Sequence, residues 1–176
     1  MTKKENGEFV LSKGKWGENI SWQFIASTEL PKRELCTAVC CITTFDNKLL
    51  LVKNKRGWEC PSGHIRDDES LEQAASREVK EETCAIINKP RIFGYKKLTA
   101  LKQAPRLNEP TLFYPFPNSY VVFFYADAIA FSDEPLAEDV EDVKFASYDE
   151  AKELLAKGRQ YENVLEYLLQ NKKINL

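Results

Sequence analysis

The sequence predicts an α/β domain in which a mixed β-sheet is sandwiched between helices. Three observations support this fold class: an apolar hairpin pattern at residues 35–52, a capped amphipathic helix that begins after residue 70, and a long apolar run at residues 120–131. Strands interspersed with a few helices are typical of layered α/β architectures. With 176 residues, the chain is long enough for one domain with a sizeable core.

The predicted strands are segments rich in apolar, β-branched and aromatic residues. They are residues 9–11, 21–25, 35–45, 48–52, 85–89, 91–98 and 120–131. Asp46 and Asn47 form the turn of a hairpin between the third and fourth of these segments. We expect the first two to belong to an N-terminal extension, residues 1–34, packed on a core domain of residues 35–176.

Three helices are predicted from capping signals and apolar stripes. Ser70 is the expected N-cap of the first helix, with Gln73 completing a capping box. Ser147 and Glu150 form the same pattern before a helix over residues 148–156. The C-terminal helix of the core domain has one apolar stripe, formed by Tyr161, Val164, Leu165 and Leu168.

Composition argues against several classes of function. The formal net charge of −2 is poorly suited to a general nucleic-acid-binding surface. Because no apolar run reaches membrane-spanning length and the first residues are polar, we expect a cytoplasmic protein that binds no membrane. The five cysteines match no zinc-binding spacing, and the chain has a single histidine. We therefore expect the cysteines to act as small apolar residues rather than catalytic thiols.

An acidic cluster on the first predicted helix carries the chemistry. Glu78, Glu81 and Glu82 are spaced i, i+3 and i+4, so their carboxylates share one helix face. At about 100° per residue, Glu78 and Glu82 fall within the apolar stripe that includes Leu71 and Val79. Buried carboxylates are costly unless a cation or hydrogen-bond donors compensate them. The spacing and the face together favour a divalent-cation site, and hence phosphate chemistry.

The alternative to a metal site is a solvated acidic helix. That alternative would place the glutamates on the polar face, which the same helical projection assigns to Gln73, Lys80 and Thr83. Arg77 can orient Glu78 or Glu81, although an ordinary i,i+4 surface salt bridge with Glu81 is its structural alternative.

Residues 63–85 resemble the signature of the Nudix hydrolases, a family that includes MutT-like enzymes. The signature is a glycine, five residues, a glutamate, seven residues, Arg-Glu, an aliphatic residue, any residue, Glu-Glu, any residue, a glycine and an aliphatic residue. The matching positions in this chain are Gly63, Glu69, Arg77, Glu78, Val79, Glu81 and Glu82. The resemblance implies a Nudix-type α/β/α sandwich with a mixed β-sheet.

Two positions depart from the family pattern. Cys84 stands where the family has its last glycine, which normally ends the helix in the left-handed conformation that is costlier for cysteine. We therefore expect the helix end to be reshaped or the helix to run on slightly. Ser62 stands where relatives often have a second glycine.

The resemblance also implies a reaction, the metal-dependent hydrolysis of a nucleoside diphosphate linked to another group. Glu78, Glu81 and Glu82 would bind Mg²⁺, or alternatively Mn²⁺, with the Gly63 carbonyl as a further ligand. Arg77 would orient Glu78, the first candidate for assisting the attacking water. Some relatives instead take this base from a loop outside the signature.

Further candidates lie outside the signature. A loop before the last core strand commonly supplies another acidic ligand in the family, and Glu138 and Asp139 occupy that place, with a solvated loop as the alternative. Four residues are candidates for binding the substrate: Arg56, Trp58, His64 and Tyr95. Their structural alternatives are an exposed charge for the arginine, core packing for the aromatic residues and a structural role for the histidine.

Residues 101–118 form a loop rich in proline and aromatic residues. Prolines at this density preclude a regular helix or a central strand. A loop of this length in a compact domain is often a lid or a binding loop. We expect it to shape the substrate pocket or to pack against a second subunit, which leaves a homodimer open.

Within the enzyme class, residues 58–63 resemble the branch of the family that acts on nucleoside triphosphates, so the resemblance implies a small-molecule nucleotide substrate of this type, including oxidised forms such as 8-oxo-dGTP. Hydrolysis of ADP-ribose, dinucleoside polyphosphates, nucleotide sugars or capped RNA stays open. A non-catalytic nucleotide sensor on the same fold is the alternative from another class. The complete set of signature glutamates favours the enzyme.

Overall fold

The computed structural model describes residues 3–5, 8–102, 114–156 and 161–176, which contain eleven strands, three α-helices and one 3₁₀ turn at Arg33–Leu35. The strands are β1 (Lys3–Glu5), β2 (Glu8–Trp16), β3 (Ile20–Ala26), β4 (Cys36–Phe45), β5 (Lys48–Asn54), β6 (Gly57–Glu59), β7 (Ser62–His64), β8 (Ala85–Ile87), β9 (Arg91–Ala100), β10 (Asn118–Phe131) and β11 (Asp142–Ala146). The helices are α1 (Leu71–Thr83), α2 (Tyr148–Ala156) and α3 (Glu162–Gln170).

The strands form one mixed sheet in the order β1-β2-β3-β9-β10-β4-β5-β11. Strands β4 and β10 run parallel, and the other pairings are antiparallel. Three short strands branch from this path, since β6 pairs with β5, β7 with β4 and β8 with β10. The N-terminal strands extend the sheet because β3 pairs with β9 over residues 20–26.

Helices cover both faces of the sheet, which confirms the predicted sandwich. Successive residues of β4 point to opposite faces. Val39 and Cys41 therefore lie in one core with α1, while Cys40 and Ile42 lie in a second core with α2 and α3. Burial raises the pKa of the Cys41 thiol to about 12, so this cysteine packs as an apolar residue.

The predicted capping boxes are both present. The Ser70 hydroxyl accepts a hydrogen bond from the Gln73 N–H at 3.1 Å, and the Gln73 side chain accepts one from the Ser70 N–H at 2.8 Å. Ser147 and Glu150 make the equivalent pair at the start of α2. These caps fix where the helices begin and hence which residues of α1 face the sheet.

The end of α1 differs from the expectation in two ways. Cys84 adopts the left-handed conformation with φ 58°, so the helix stops where the family glycine would stop it and is not reshaped. The Cys84 carbonyl accepts a hydrogen bond from the Ser132 N–H at 2.8 Å, which helps to hold this conformation. Thr83, assigned to the polar face, is buried because its hydroxyl is satisfied by the Val79 carbonyl at 2.6 Å.

The helices of the described residues are too short or too polar to cross a membrane.

Candidate active site

Strand β7 brings the main chain of Gly63 against Glu78 of α1. The strand is held in place by its pairing with β4, in which Gly63 lies opposite Val39. A Cβ atom built on Gly63 would overlap the carboxyl group of Glu78. Glycine is therefore required here by the close approach of main chain and carboxylate, rather than by an unusual backbone conformation.

Arg77 connects the signature loop to the acidic helix through hydrogen bonds from all five of its N–H donors. Its Nε and Nη2 atoms bind the two oxygens of Glu69 at 2.9 and 2.6 Å. Its Nη1 atom donates to Glu78 at 2.6 Å and to Glu81 at 3.0 Å, and Nη2 also donates to the His64 carbonyl at 2.9 Å. The salt bridge with Glu81 is thus one part of a larger clamp.

The three glutamates of the cluster differ in their surroundings. Glu82 is 6% exposed, and burial raises its pKa to about 8 although the Ser62 N–H donates to it at 2.8 Å. Burial also raises the pKa of Glu78, against the opposing effect of Arg77. The Glu81 side chain is 41% exposed and pairs with Arg66 at 3.1 Å as well as with Arg77.

The residues of this cluster fit a divalent cation by the chemistry of their donors. Among the described residues, no three acidic, histidine or cysteine side chains already surround one point as a metal shell. However, Glu82 is a buried carboxylate and Glu78 a half-buried one, and their raised pKa values show that their charged forms are incompletely compensated. Hard oxygen donors of this kind suit Mg²⁺ or Mn²⁺, which would supply the missing positive charge.

A cavity of about 740 Å³ opens beside this cluster. Its size is within the range of small-molecule sites. Seven residues predicted from the sequence line it: Arg56, Gly63, His64, Glu78, Glu81, Glu82 and Asp139. The structure therefore brings the loop before β11 and the turn between β5 and β6 to the same cavity as the acidic helix.

Arg56 lies at the acidic end of this cavity. Its Nη2 atom donates to Glu59 at 2.6 Å. This hydrogen bond raises the pKa of Arg56, and the negative charges of Asp139 and Glu82 raise it further. The guanidinium group thus remains cationic beside the carboxylates and faces the same solvent-filled space.

Four predicted site residues lie outside the lining that the described residues form: Arg77, which holds the carboxylates from behind, and Trp58, Tyr95 and Glu138. Trp58 packs half-buried against the core beneath α2 and α3. Tyr95 contacts the ring of Tyr120, with ring centroids 5.5 Å apart. Glu138 is exposed and, unlike its neighbour Asp139, is absent from the cavity wall.

The loop at residues 101–118 is described at its two ends. Residues 103–113 lie outside the described residues. They make up most of the loop that we expect to shape the pocket or to contact a second subunit. Tyr114, at the C-terminal end, lines the cavity, and its hydroxyl is 2.8 Å from His64 Nε2. The end of the loop therefore reaches the site.

Trp16 and Lys96 are among the lining residues that were not predicted from the sequence. Trp16 comes from the N-terminal extension, and Lys96 lies on β9 between the half-buried Tyr95 and Lys97. Lys96 shares a strand face with the buried Leu98, two residues away. A lysine on the apolar face of a strand is the signal that could have identified it.

The NUDIX domain model matches residues 34–168, and the chain therefore belongs to the NUDIX family. It is a Nudix hydrolase, and enzymes of this family act on small-molecule nucleotides and generally use divalent metal ions. No curated protein matches the chain.

Several solved structures share the fold. A NUDIX hydrolase from Nitrosomonas europaea is 24% identical, with a TM-score of 0.58 over 76% of this chain and 88% of that chain. A variant of the Bacillus subtilis pyrophosphohydrolase BsRppH is 21% identical, with a TM-score of 0.66 over 92% of this chain and 96% of that one. A bifunctional NMN adenylyltransferase/ADP ribose pyrophosphatase from Francisella tularensis, complexed with AMP and a manganese ion, is 20% identical, with a TM-score of 0.50 over 78% and 41%.

Proposed function

We propose that this Nudix hydrolase is a Mg²⁺-dependent pyrophosphohydrolase of nucleoside triphosphates, with Mn²⁺ as an alternative cofactor. The observation that carries the proposal is a single cavity with an acidic end, formed by Glu78, Glu81 and Glu82, and an aromatic end that includes Trp16 and Phe123. A polyphosphate chain with one nucleoside has the same division of polar and apolar parts.

The residues that would hold the metal are Glu78, Glu81 and Glu82, with the Gly63 carbonyl as a neutral ligand. Asp139 is the candidate for a further ligand, because it lines the same cavity. When bound, the metal would neutralise the polyphosphate, orient it and acidify a coordinated water. Its positive charge would compensate the buried carboxylate of Glu82 and the half-buried one of Glu78.

Glu78 is our candidate for the general base. The Arg77 guanidinium holds one of its oxygens at 2.6 Å, and the Gly63 main chain packs against its carboxyl group. The orientation of this carboxylate is therefore fixed before substrate binds. Burial raises its pKa against the opposing effect of Arg77, and a raised pKa makes a carboxylate a stronger base.

Arg56 would bind the phosphate groups that project away from the metal. It lines the acidic end of the cavity, and its side chain is 59% exposed, so it can turn towards a ligand. A guanidinium group binds phosphate oxygens in a bidentate manner. In this role the positive charge of Arg56 would offset the repulsion between the negatively charged polyphosphate and the carboxylates of Glu82 and Asp139.

Among the described residues, the rings of Trp16 and Phe123 line one part of the cavity and offer a place for one base, which favours a substrate with a single base over a dinucleoside polyphosphate. The solved structures with named activities are less than 25% identical and share the fold alone, so the choice among substrates rests on this chain's own residues. ADP-ribose and nucleotide sugars also carry a single base and are the closest competitors.

A substrate panel tests the proposal. The assay measures the release of pyrophosphate or phosphate with Mg²⁺ and with Mn²⁺. The substrates are ribo- and deoxyribonucleoside triphosphates, 8-oxo-dGTP, ADP-ribose, diadenosine polyphosphates and UDP-sugars. We expect the highest kcat/KM for a nucleoside triphosphate, and no turnover in excess chelator. A higher kcat/KM for any other class would replace the proposed substrate. Binding of nucleotide and metal without any turnover would indicate a sensor.

A further inference from the structure

A buried lysine lies in an aromatic cage at the end of the cavity away from the acidic helix. Lys96 is 7% exposed and lines the cavity. Its Nζ atom is 4.9 Å from the ring centroid of Trp22, 5.4 Å from that of Trp16 and 5.7 Å from that of Phe123. These separations allow cation–π attraction between the ammonium group and the three rings.

Two members of the cage come from outside the matched family domain. Trp16 ends β2 and Trp22 lies in β3, whereas the match begins at residue 34. Strand β3 is attached by its pairing with β9, which places Trp22 opposite Leu98. The N-terminal hairpin thus completes a wall of the cavity that the family domain alone leaves unbuilt.

The character of this wall suits a nucleobase better than a phosphate. Trp16 is 44% exposed and lines the cavity beside Leu98 and Phe123, so an aromatic surface faces the ligand. Aromatic side chains stack on bases of any kind. The phosphates would be held at the other end, where Arg56 lies beside the carboxylates.

The ammonium group adds discrimination to this stacking surface. Lysine carries three N–H donors and accepts no hydrogen bonds. It can donate to the O6 and N7 acceptors of a 6-oxopurine such as guanine, whereas adenine presents an amino donor at the 6 position. A cation beside the base therefore favours the oxo base over the amino base.

We propose that Trp16 and Lys96 form a base-recognition subsite for 6-oxopurine nucleotides, in which Trp16 stacks on the base and Lys96 donates to its O6 and N7 atoms. This inference rests on the proposed function for the placement of the phosphates at the acidic end. It makes the N-terminal hairpin part of the substrate site rather than an appendage.

The test is a calorimetric titration with GMP and AMP in the absence of divalent metal, so that base recognition is measured apart from catalysis. The wild-type protein should bind GMP about 5- to 100-fold more tightly than AMP. Lys96→Met should remove this preference by weakening GMP binding alone. Trp16→Ala should weaken the binding of both nucleotides about 5- to 100-fold.

Lys97→Met is the matched control, because Lys97 neighbours Lys96 on β9 but lies outside the cavity lining and beside a separate surface depression. It should bind both nucleotides as the wild type does. Circular dichroism and thermal melting establish that each variant is folded. If Lys96→Met does not fold, the inference is still tested by the preference of the wild type for GMP and by the effect of Trp16→Ala on the binding of both nucleotides.

Equal affinity of the wild type for GMP and AMP, or binding of neither, would overturn the inference. An equal loss for both nucleotides in Lys96→Met would also overturn it, because that is the behaviour of a phosphate-binding or structural lysine. A preference for GMP that depends on Lys96, together with no hydrolysis of triphosphates, would support the subsite and reject the proposed function. Triphosphate hydrolysis without a preference for GMP would support the proposed function and reject the subsite.

Discussion

Substitution of Gly63 by alanine tests the contact between main chain and carboxylate on which the proposed site depends. The φ angle of Gly63 lies outside the left-handed region, so alanine causes no backbone strain there. Its Cβ atom would overlap the Glu78 carboxyl group, which must move away. The perturbation therefore acts on one side chain of the cluster and leaves strand β7 otherwise unchanged.

The size of the effect follows from what the displaced carboxylate loses. Glu78 accepts a charge-assisted hydrogen bond of 2.6 Å from Arg77. Loss of such a bond costs about 1.5–3 kcal/mol of stability. A displacement of about 1 Å at a reacting group lowers the rate about 100-fold. We expect Gly63→Ala to lower kcat by about 100-fold while the protein remains folded.

A double-mutant cycle on stability separates this mechanism from a general effect of alanine on β7. Urea unfolding gives the free energy of unfolding for the wild type, Gly63→Ala, Glu78→Ala and the double variant. In the Glu78→Ala background the overlapping group is gone, so alanine at position 63 should cost little. Additivity of the two substitutions within about 0.5 kcal/mol would refute the reasoning.

Three further predictions concern the signature helix. Glu82→Gln should keep the fold, because its amide oxygen can still accept a hydrogen bond from the Ser62 N–H. It should abolish metal-dependent turnover. Phosphate release near the wild-type rate would mean that the site is misplaced. In the metal-free protein, burial raises the pKa of Glu82 from 4.5 to about 8, so the native state binds this proton more tightly than the unfolded state. The free energy of unfolding should therefore fall as pH rises from about 5 to 8, and urea titrations of the Gln variant should show a weaker dependence. Cys84→Gly should raise the free energy of unfolding by about 1 kcal/mol because it relieves the left-handed conformation, and a lower value would show that the thiol hydrogen bond to the Glu134 carbonyl matters more.

The local signals in the sequence were sufficient for the fold class, the main helices and most of the acidic cluster, whereas the topology was implied by the family resemblance. Capping residues such as Ser70 and Ser147 act on neighbouring backbone atoms, so their effect can be predicted without knowing the rest of the structure. The helical projection similarly anticipated the burial of Glu82. It misplaced Thr83, because a hydroxyl that bonds to its own helix can be buried at little cost.

What the sequence could not supply is the proximity of distant segments. Trp16 and Lys96 are 80 positions apart and meet through the pairing of β2 with β3 and of β3 with β9. That pairing depends on the order of strands in the sheet, which no local pattern specifies. Trp58 and Tyr95 were predicted to bind substrate but lie outside the cavity lining for the same reason. Aromatic residues suit a base-binding site and a core equally well, and the packing of the whole sheet determines which role a given residue has.

The three glutamates need not contribute equally to a response to metal. Arg77 compensates the charges of Glu78 and Glu81 directly, whereas Glu82 receives a hydrogen bond from a neutral backbone N–H. A cation is therefore worth most to Glu82, whose pKa is raised to about 8 in its absence. A bound cation must also compete with Arg77 for Glu78, so binding should shift the contacts of Arg77 towards Glu69, which already holds it through two hydrogen bonds. On this argument, Glu69 is the anchor that lets Arg77 release a carboxylate without leaving the site.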